Sequence, residues 1–327
     1  MSDWRRVRLH VVTGKGGTGK TTVAAALALA LARDGGRVLL CEVEGRQGLA
    51  RLFDAGPLPY EEVPVAVAPG DGDVLALAID VEAALMEYLQ MYYRLGRAGR
   101  MLDRFGVVDF ATTIAPGVRD VLLTGKVYEA VRRRGADGEP VYDAIVLDAP
   151  PTGRITRFLN VNTEVAGLAK VGPIRRQADA IMRLLRSRGT AVHLVTVLED
   201  MPVQETTDAI TDLAAVRLPV GGIVVNQVRN SPLDPTTRKA VAEGTLAPRE
   251  LLPGLTTAGL EPHGDTVPAA LITAAEEHVE RLEREEQLTG EVEGLGQPVY
   301  RLPHATEGID LGALYELADA LCEQQMA

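Results

Sequence analysis

The chain has 327 residues, 46% hydrophobic and 24% charged, a globular profile that excludes a disordered chain, a collagen-like chain and a coiled-coil rod. Aromatic residues are 4%, too few for a stacking surface, and two cysteines, Cys41 and Cys322, exclude a disulfide framework and a Cys-x-x-Cys motif. The net charge of −11 splits into +4 over residues 1–197 and −15 over residues 198–327, a balance that argues against general nucleic-acid binding.

In chain order, residues 7–13 form a β-rich run that ends in a glycine loop. Residues 21–34 are rich in Ala and Leu and stop at Gly35-Gly36, which predicts a helix. Residues 37–43, 74–79, 143–149, 191–197, 220–225 and 298–302 are further short β-branched runs without strict polar alternation. Parallel strands covered on both faces look like this. With helical patterns between them, they predict an α/β, doubly wound, mostly parallel sheet. Residues 80–135 interrupt the rhythm and read as an inserted helical subdomain, with breaks near Gly106 and Pro116-Gly117. Further helices are expected at 160–190 and 232–296. The second stretch closes on a Glu-rich helix at 275–288, expected to face solvent. No linker divides the chain, so residues 1–327 read as a single domain. No apolar run approaches the ~20 residues of a membrane span, and the arginines at 5, 6 and 8 precede too short an apolar stretch for a signal peptide. The expected location is the cytoplasm.

Gly14-Lys15-Gly16-Gly17-Thr18-Gly19-Lys20-Thr21 fits the G-x-x-x-x-G-K-[ST] phosphate loop without a mismatch, between a predicted strand and a predicted helix. Its glycines let backbone N–H groups turn toward phosphate, and the following helix adds the positive end of its dipole. Lys20 would reach the β- and γ-phosphates of ATP, and the Thr21 hydroxyl would ligate Mg²⁺. Thr22 belongs with the nucleotide contacts. The alternative is a glycine-rich turn with no ligand.

Lys15, a second lysine inside the loop, makes the pattern resemble the deviant Walker A of dimerising P-loop ATPases. The class includes the arsenite-pump ATPase, the tail-anchored-protein targeting ATPase, the septum-site and partition ATPases and the nitrogenase iron protein. The resemblance implies that Lys15 crosses a dimer interface to the partner's nucleotide, in the manner of an arginine finger. Otherwise it adds local charge to its own site. Asp148-Ala149-Pro150-Pro151-Thr152-Gly153-Arg154 is similar to the second switch D-T-A-P-T-G-H of the arsenite-pump and targeting branch, which implies that Asp148 supports Mg²⁺. An Asp capping the next turn is the other reading. Gly221 to Gln227 resembles the strand whose Asn, here Asn226, reads the adenine edge; Asn226 could instead be a turn former. Ala115-Pro116-Gly117 resembles the turn entering the helical subdomain, and the Pro202/Glu205 region is similar as well.

The first switch departs from the family. Where S-T-D-P-A-H is expected, the chain has Cys41-Glu42-Val43-Glu44-Gly45-Arg46-Gln47. By position Glu44 replaces the Asp that orients the attacking water, one methylene longer, and Glu42 on the same strand face is its rival. Both could be structural acids. No thiolate trio exists for arsenite, so an arsenite-pump role is not expected, and the zinc clamp of the eukaryotic targeting ATPase has no counterpart. Leu85, Met86, Tyr88, Leu89, Met91 and Tyr92 read as the subdomain's own core, with an apolar client groove as the alternative. Lys170, Arg175, Arg176, Arg183, Arg186 and Arg188 read as a solvated basic face, or as a contact for anionic headgroups or an acidic partner. The five histidines are dispersed and receive no role. The tail at 309–327 carries Asp310, Glu316, Asp319 and Glu323 without Lys or Arg, the wrong sign for a membrane-surface helix.

The expected function is therefore a Mg·ATP-dependent dimeric ATPase that switches an interaction with a membrane protein or membrane surface. The alternative is a nucleotide-gated subunit with little turnover, paired with a second similar ATPase. Homodimer and heterodimer both remain open.

Overall fold

The computed structural model describes residues 4–93, 117–168, 173–260 and 265–327. Its eight strands are β1 (Leu9–Gly14), β2 (Arg37–Glu42), β3 (Val63–Ala68), β4 (Gly72–Ala78), β5 (Ala144–Asp148), β6 (Thr190–Thr196), β7 (Val220–Val228) and β8 (Val299–Pro303). They form one sheet in the order β3-β4-β2-β5-β1-β6-β7-β8. All pairs are parallel except β3 with β4. The runs without polar alternation are thus strands of a doubly wound sheet, as expected. β3 is a correction. The sequence reading placed no strand there; its Pro64 is tolerated because β3 lies at the sheet edge, where only one side is hydrogen-bonded.

Central strands bury both faces with a period of two. Val38 and Leu40 of β2 enter one core, and Leu39 and Cys41 enter the other. The first core is covered by α1 (Lys20–Ala32), α2 (Gly48–Leu52) and the C-terminal helix, Leu311–Glu323. α1 is apolar nearly all round and buried from Val23 to Ala30, as a helix between a sheet and another helix must be. The second core is covered by α3 (Val81–Tyr93), α4 (Val118–Arg132), α5 (Thr152–Leu168), α6 (Pro173–Leu185) and α7 (Asp200–Ala215). Beyond them follow α8 (Pro235–Ala242), α9 (Leu252–Thr257), α10 (Thr266–Glu293) and α11 (Leu311–Glu323).

One helix differs from expectation. α10 was expected to face solvent at 275–288, but Val279, Leu282, Leu288 and Val292 are buried, the last two against Val203 of α7 and Ile223 and Val225 of β7. Only the Glu-rich remainder is solvated. The acidic tail forms α11, whose Leu314, Leu317 and Leu321 are consumed by the first core. The expected inserted helices begin as α3 and end as α4; residues 94–116, with Ala115 and Pro116, lie outside the described residues, as does Lys170.

Both outer strands are guarded. On β3 the Val67 carbonyl accepts from Tyr315 Oη at 2.7 Å. On β8 the Gln324 amide imitates a strand, accepting from Arg301 N–H at 2.8 Å and donating to Arg301 O at 2.8 Å. No described helix is long and apolar enough to cross a membrane.

Candidate nucleotide site

β1, near the middle of the sheet, delivers Gly14 to the carboxyl edge, where β2 and β6 have diverged to opposite sides. A doubly wound sheet opens its ligand crevice at that point. The 14–19 loop bends there into α1. A Cβ on Gly14 would lie 2.1 Å from Val195 O of β6, so only glycine fits. Gly19 sits at φ 84° as the N-cap of α1, and a Cβ there would lie 2.3 Å from Asn226 Nδ2. No side chain caps α1 and no acid occupies its first turn, so its free N–H groups face the loop. Gly14→Ala should lose about 2–3 kcal/mol of stability in urea titrations, the cost of overpacking against a backbone that cannot retreat.

The loop is braced from neighbouring elements. Thr18 Oγ1 donates to Lys15 O at 2.9 Å, and Asn226 Nδ2 at the end of β7 donates to Thr18 O at 2.9 Å. Thr13 Oγ1 donates to Pro150 O at 2.6 Å, joining the end of β1 to the turn after β5. Sequence reading gave Asn226 a base contact; it missed this amide bond to the loop, which no linear motif encodes. Beside Asn226 is a cavity of about 320 Å³ lined by residues including Val197, Leu198, Gln227 and Arg284.

Below the loop, Thr21 Oγ1 donates to Asp148 Oδ2 at 2.7 Å. The two residues are 127 apart in sequence and meet because β5 pairs with β1. Burial raises the Asp148 carboxyl to about 6; the Thr21 hydroxyl and Lys20 oppose that rise, and Glu42 and Glu44 reinforce it. Glu42 stands opposite Asp148 in the β2–β5 register. Its Oε2 accepts from Leu49 N–H at 3.2 Å, and its Oε1 is buried without a hydrogen-bond partner. Among the described residues no three His, Cys, Asp or Glu side chains are grouped to hold a metal alone. A hydroxyl, a carboxylate and an unpaired buried oxygen still fit Mg²⁺, which takes few protein ligands and completes its shell with water and phosphate.

Glu44 lies on the loop after β2. It is paired with Arg46 Nε at 3.6 Å and with Arg154 at 3.8 Å. Glu42, its rival, is held lower, at the strand end. Lys15 Nζ lies 3.2 Å from Glu205 of α7, and Glu205 also accepts from Thr152 Oγ1 at 2.8 Å. Gly16 and Gly17 have open space around them. Lys15, Lys20, Thr21, Asp148 and Asn226 are therefore brought to one edge of the sheet. Cys41 is fully buried, its thiol pushed up to about 12 by burial, and cannot supply a soft metal ligand.

A phosphate-type loop between a central strand and an uncapped helix, with a hydroxyl–carboxylate pair beneath it, defines a P-loop nucleoside triphosphatase. The comparisons with known proteins agree. Residues 7–188 match the family model of the anion-transporting ATPases, the arsenite-pump group. The chain is 53% identical to the ATPase BagA of Mycobacterium tuberculosis over 97% of this chain and 93% of that protein. It is 26% identical to the ATPase get3 of Schizosaccharomyces japonicus over 69% of this chain and 75% of that protein. It is 25% identical to a putative arsenical pump-driving ATPase of Aquifex aeolicus over 57% of this chain and 59% of that one. The chain belongs to this family of deviant Walker A ATPases and is an ATPase, in a family of Mg·ATP-dependent enzymes.

Proposed function

We propose that the protein binds Mg·ATP at the 14–21 loop, dimerises on it, and uses hydrolysis to switch a contact with a membrane protein or membrane surface. The Thr21–Asp148 contact carries the reading, because it sets a hydroxyl and a carboxylate together under the phosphate loop. Gly14 to Gly19 cradle the phosphates with backbone N–H groups, and Thr18 keeps the loop's shape. Lys20 neutralises the β- and γ-phosphates, with Thr22 beside it in the first turn of α1. Mg²⁺, when bound, neutralises developing charge and is held by Thr21 and Asp148. Lys15 acts on the partner's nucleotide, and the base sits beside Asn226.

Glu44 orients the attacking water. Its pairing with Arg46 and Arg154 is specific support for the second reading, a low-turnover subunit beside a second ATPase, because the guanidiniums compete with that water for the carboxylate. Glu44→Gln should keep ATP binding and lose most turnover; unchanged single-turnover hydrolysis would remove Glu44 from the mechanism.

The membrane side of the proposal is supported by charge segregation. Residues 152–188 carry 8 Lys/Arg against 2 Asp/Glu in a chain of net −11. Ala178, Ile181, Met182 and Leu185 of α6 face the core, which leaves Arg175, Arg176 and Arg183 exposed. The first experiment is the native mass of the tagged protein drawn from its own cells with Mg·ATP. A species of twice 35.0 kDa containing only this chain supports a homodimer. A complex with a second similar chain supports the low-turnover reading, and a monomer under saturating nucleotide rejects both.

A further inference from the structure

Glu205 uses both of its oxygens. Oε1 lies 3.2 Å from Lys15 Nζ, and Oε2 accepts from Thr152 Oγ1 at 2.8 Å. Three separate pieces of chain meet there: the loop after β1, the segment after β5, and the early turns of the helix after β6. That helix is a firm base, since Pro202, Val203 and Thr206 are buried and Thr206 Oγ1 donates to Pro202 O at 2.8 Å. Lys15 lies on the loop itself, its side chain 29% exposed. It sits between glycines, with open space around Gly16 and Gly17. Among the described residues Glu205 is its ion-pair partner within 4.0 Å.

We propose that Glu205 is a positioning residue for Lys15 and Thr152. It holds the lysine within its own subunit, against the segment that follows Asp148, and the lysine must leave it to reach a phosphate. This rests on the reading of Lys15 as a phosphate contact in a nucleotide-loaded dimer. A half-exposed ion pair is worth at most about 1 kcal/mol, so a multiply charged phosphate displaces it readily. When Lys15 departs, Glu205 keeps only Thr152, and the 149–152 segment loses its side-chain tie to Lys15 while the Thr13–Pro150 bond remains. One carboxylate thereby reports the state of the loop to the segment carrying Asp148. The motif region around Pro202 and Glu205 acquires a physical role by this route.

Glu205→Gln retains an oxygen for Thr152 and removes the charge that holds Lys15. In the full, nucleotide-free chain, amine acylation read by mass spectrometry should rise two- to fivefold at Lys15 relative to Lys20, the span expected of such a pair. Glu205→Asp should restore most of the protection. With Mg·ATP, the concentration giving half-maximal dimer by light scattering should fall by a similar factor. Unchanged Lys15 labelling overturns the proposal. So does an equal rise at every lysine, which marks general loosening, or raised labelling with an unshifted half-maximal concentration, which means that the contact does not compete with phosphate. The labelling needs no nucleotide: a wild-type chain that neither hydrolyses ATP nor dimerises defeats the proposed function, and Lys15 labelling still decides the role of Glu205.

Discussion

Asp148→Asn is expected to lose Mg·ATP turnover by at least about a hundredfold while becoming more stable without nucleotide. The loss follows from removing the charge that would hold Mg²⁺ beneath the loop, and preorganised electrostatic contacts of this kind are worth on the order of 10²–10³ in rate. The gain follows from the carboxyl's position. Asp148 is 8% exposed and its pKa is raised from 3.8 to about 6 by burial. A carboxyl whose folded value lies above its unfolded value destabilises the fold in its ionised form. That cost is absent below pH 3.8 and complete above about pH 6, where it reaches about 3 kcal/mol. Asn keeps an oxygen for the Thr21 hydroxyl and carries no charge, so the unfolding midpoint at pH 7 should rise. In the native chain, turnover should decline as pH falls through about 6, and added Mg²⁺ should move that decline to lower pH. A variant that is inactive and less stable would show that Asp148 serves the fold.

The second large effect concerns acid stability. His10 and His193 are fully buried on β1 and β6, stacked with ring centroids 5.3 Å apart. His193 Nδ1 accepts from Gly222 N–H at 3.0 Å, which places that ring's proton on Nε2, directed at His10 Nδ1 3.0 Å away. Trp4 packs edge-on against His193 and donates to Tyr300 Oη at 2.7 Å. Burial lowers His10 to about 4 and holds His193 well below the usual value. Both rings are neutral in the fold and charged in the unfolded chain below pH 6.5. Their contribution is whole above pH 6.5 and is lost as pH falls toward 4, about 3 kcal/mol for His10 alone. His10→Gln should therefore flatten the pH dependence of stability near pH 5 by about one proton, roughly 1.2 kcal/mol per pH unit, whatever its effect at pH 7. An unchanged slope in denaturant titrations between pH 4.5 and 6 would rule out the pair as the acid-sensitive element.

These histidines also mark where sequence reading stops. Each is a polar residue inside a largely apolar strand, and nothing in the chain announces that residues 183 apart share a hydrogen bond. The phosphate loop was legible because its pattern is contiguous: a strand ends at Gly14, Gly19 turns left-handed, and α1 follows at once. The sheet was legible because buried parallel strands need uninterrupted apolar runs. β3 was not, since its Val-Pro-Val-Ala-Val-Ala run carries Pro64, and a proline argues against a strand anywhere but at a sheet edge. Glu205 was visible as a familiar stretch but not as a partner for Lys15, which requires knowing that α7 starts beside the loop. The buried stripe of α10 was hidden by its Glu-rich majority, although four apolar positions suffice to dock it.

The guarded edges of the sheet have a consequence for assembly. Gln324 occupies the N–H and C=O of Arg301 on β8, and on β3 Tyr315 occupies the Val67 carbonyl while Pro64 lacks an N–H. Each border is thus interrupted locally, which disfavours a ribbon running through two copies. In the proposed dimer, helical faces or the loops at the strand tips are then the favoured contact surfaces. The loops at those tips carry Lys15 and Glu44, so an interface there would leave the sheet of each copy intact and let ligand occupancy govern how tightly the copies hold together.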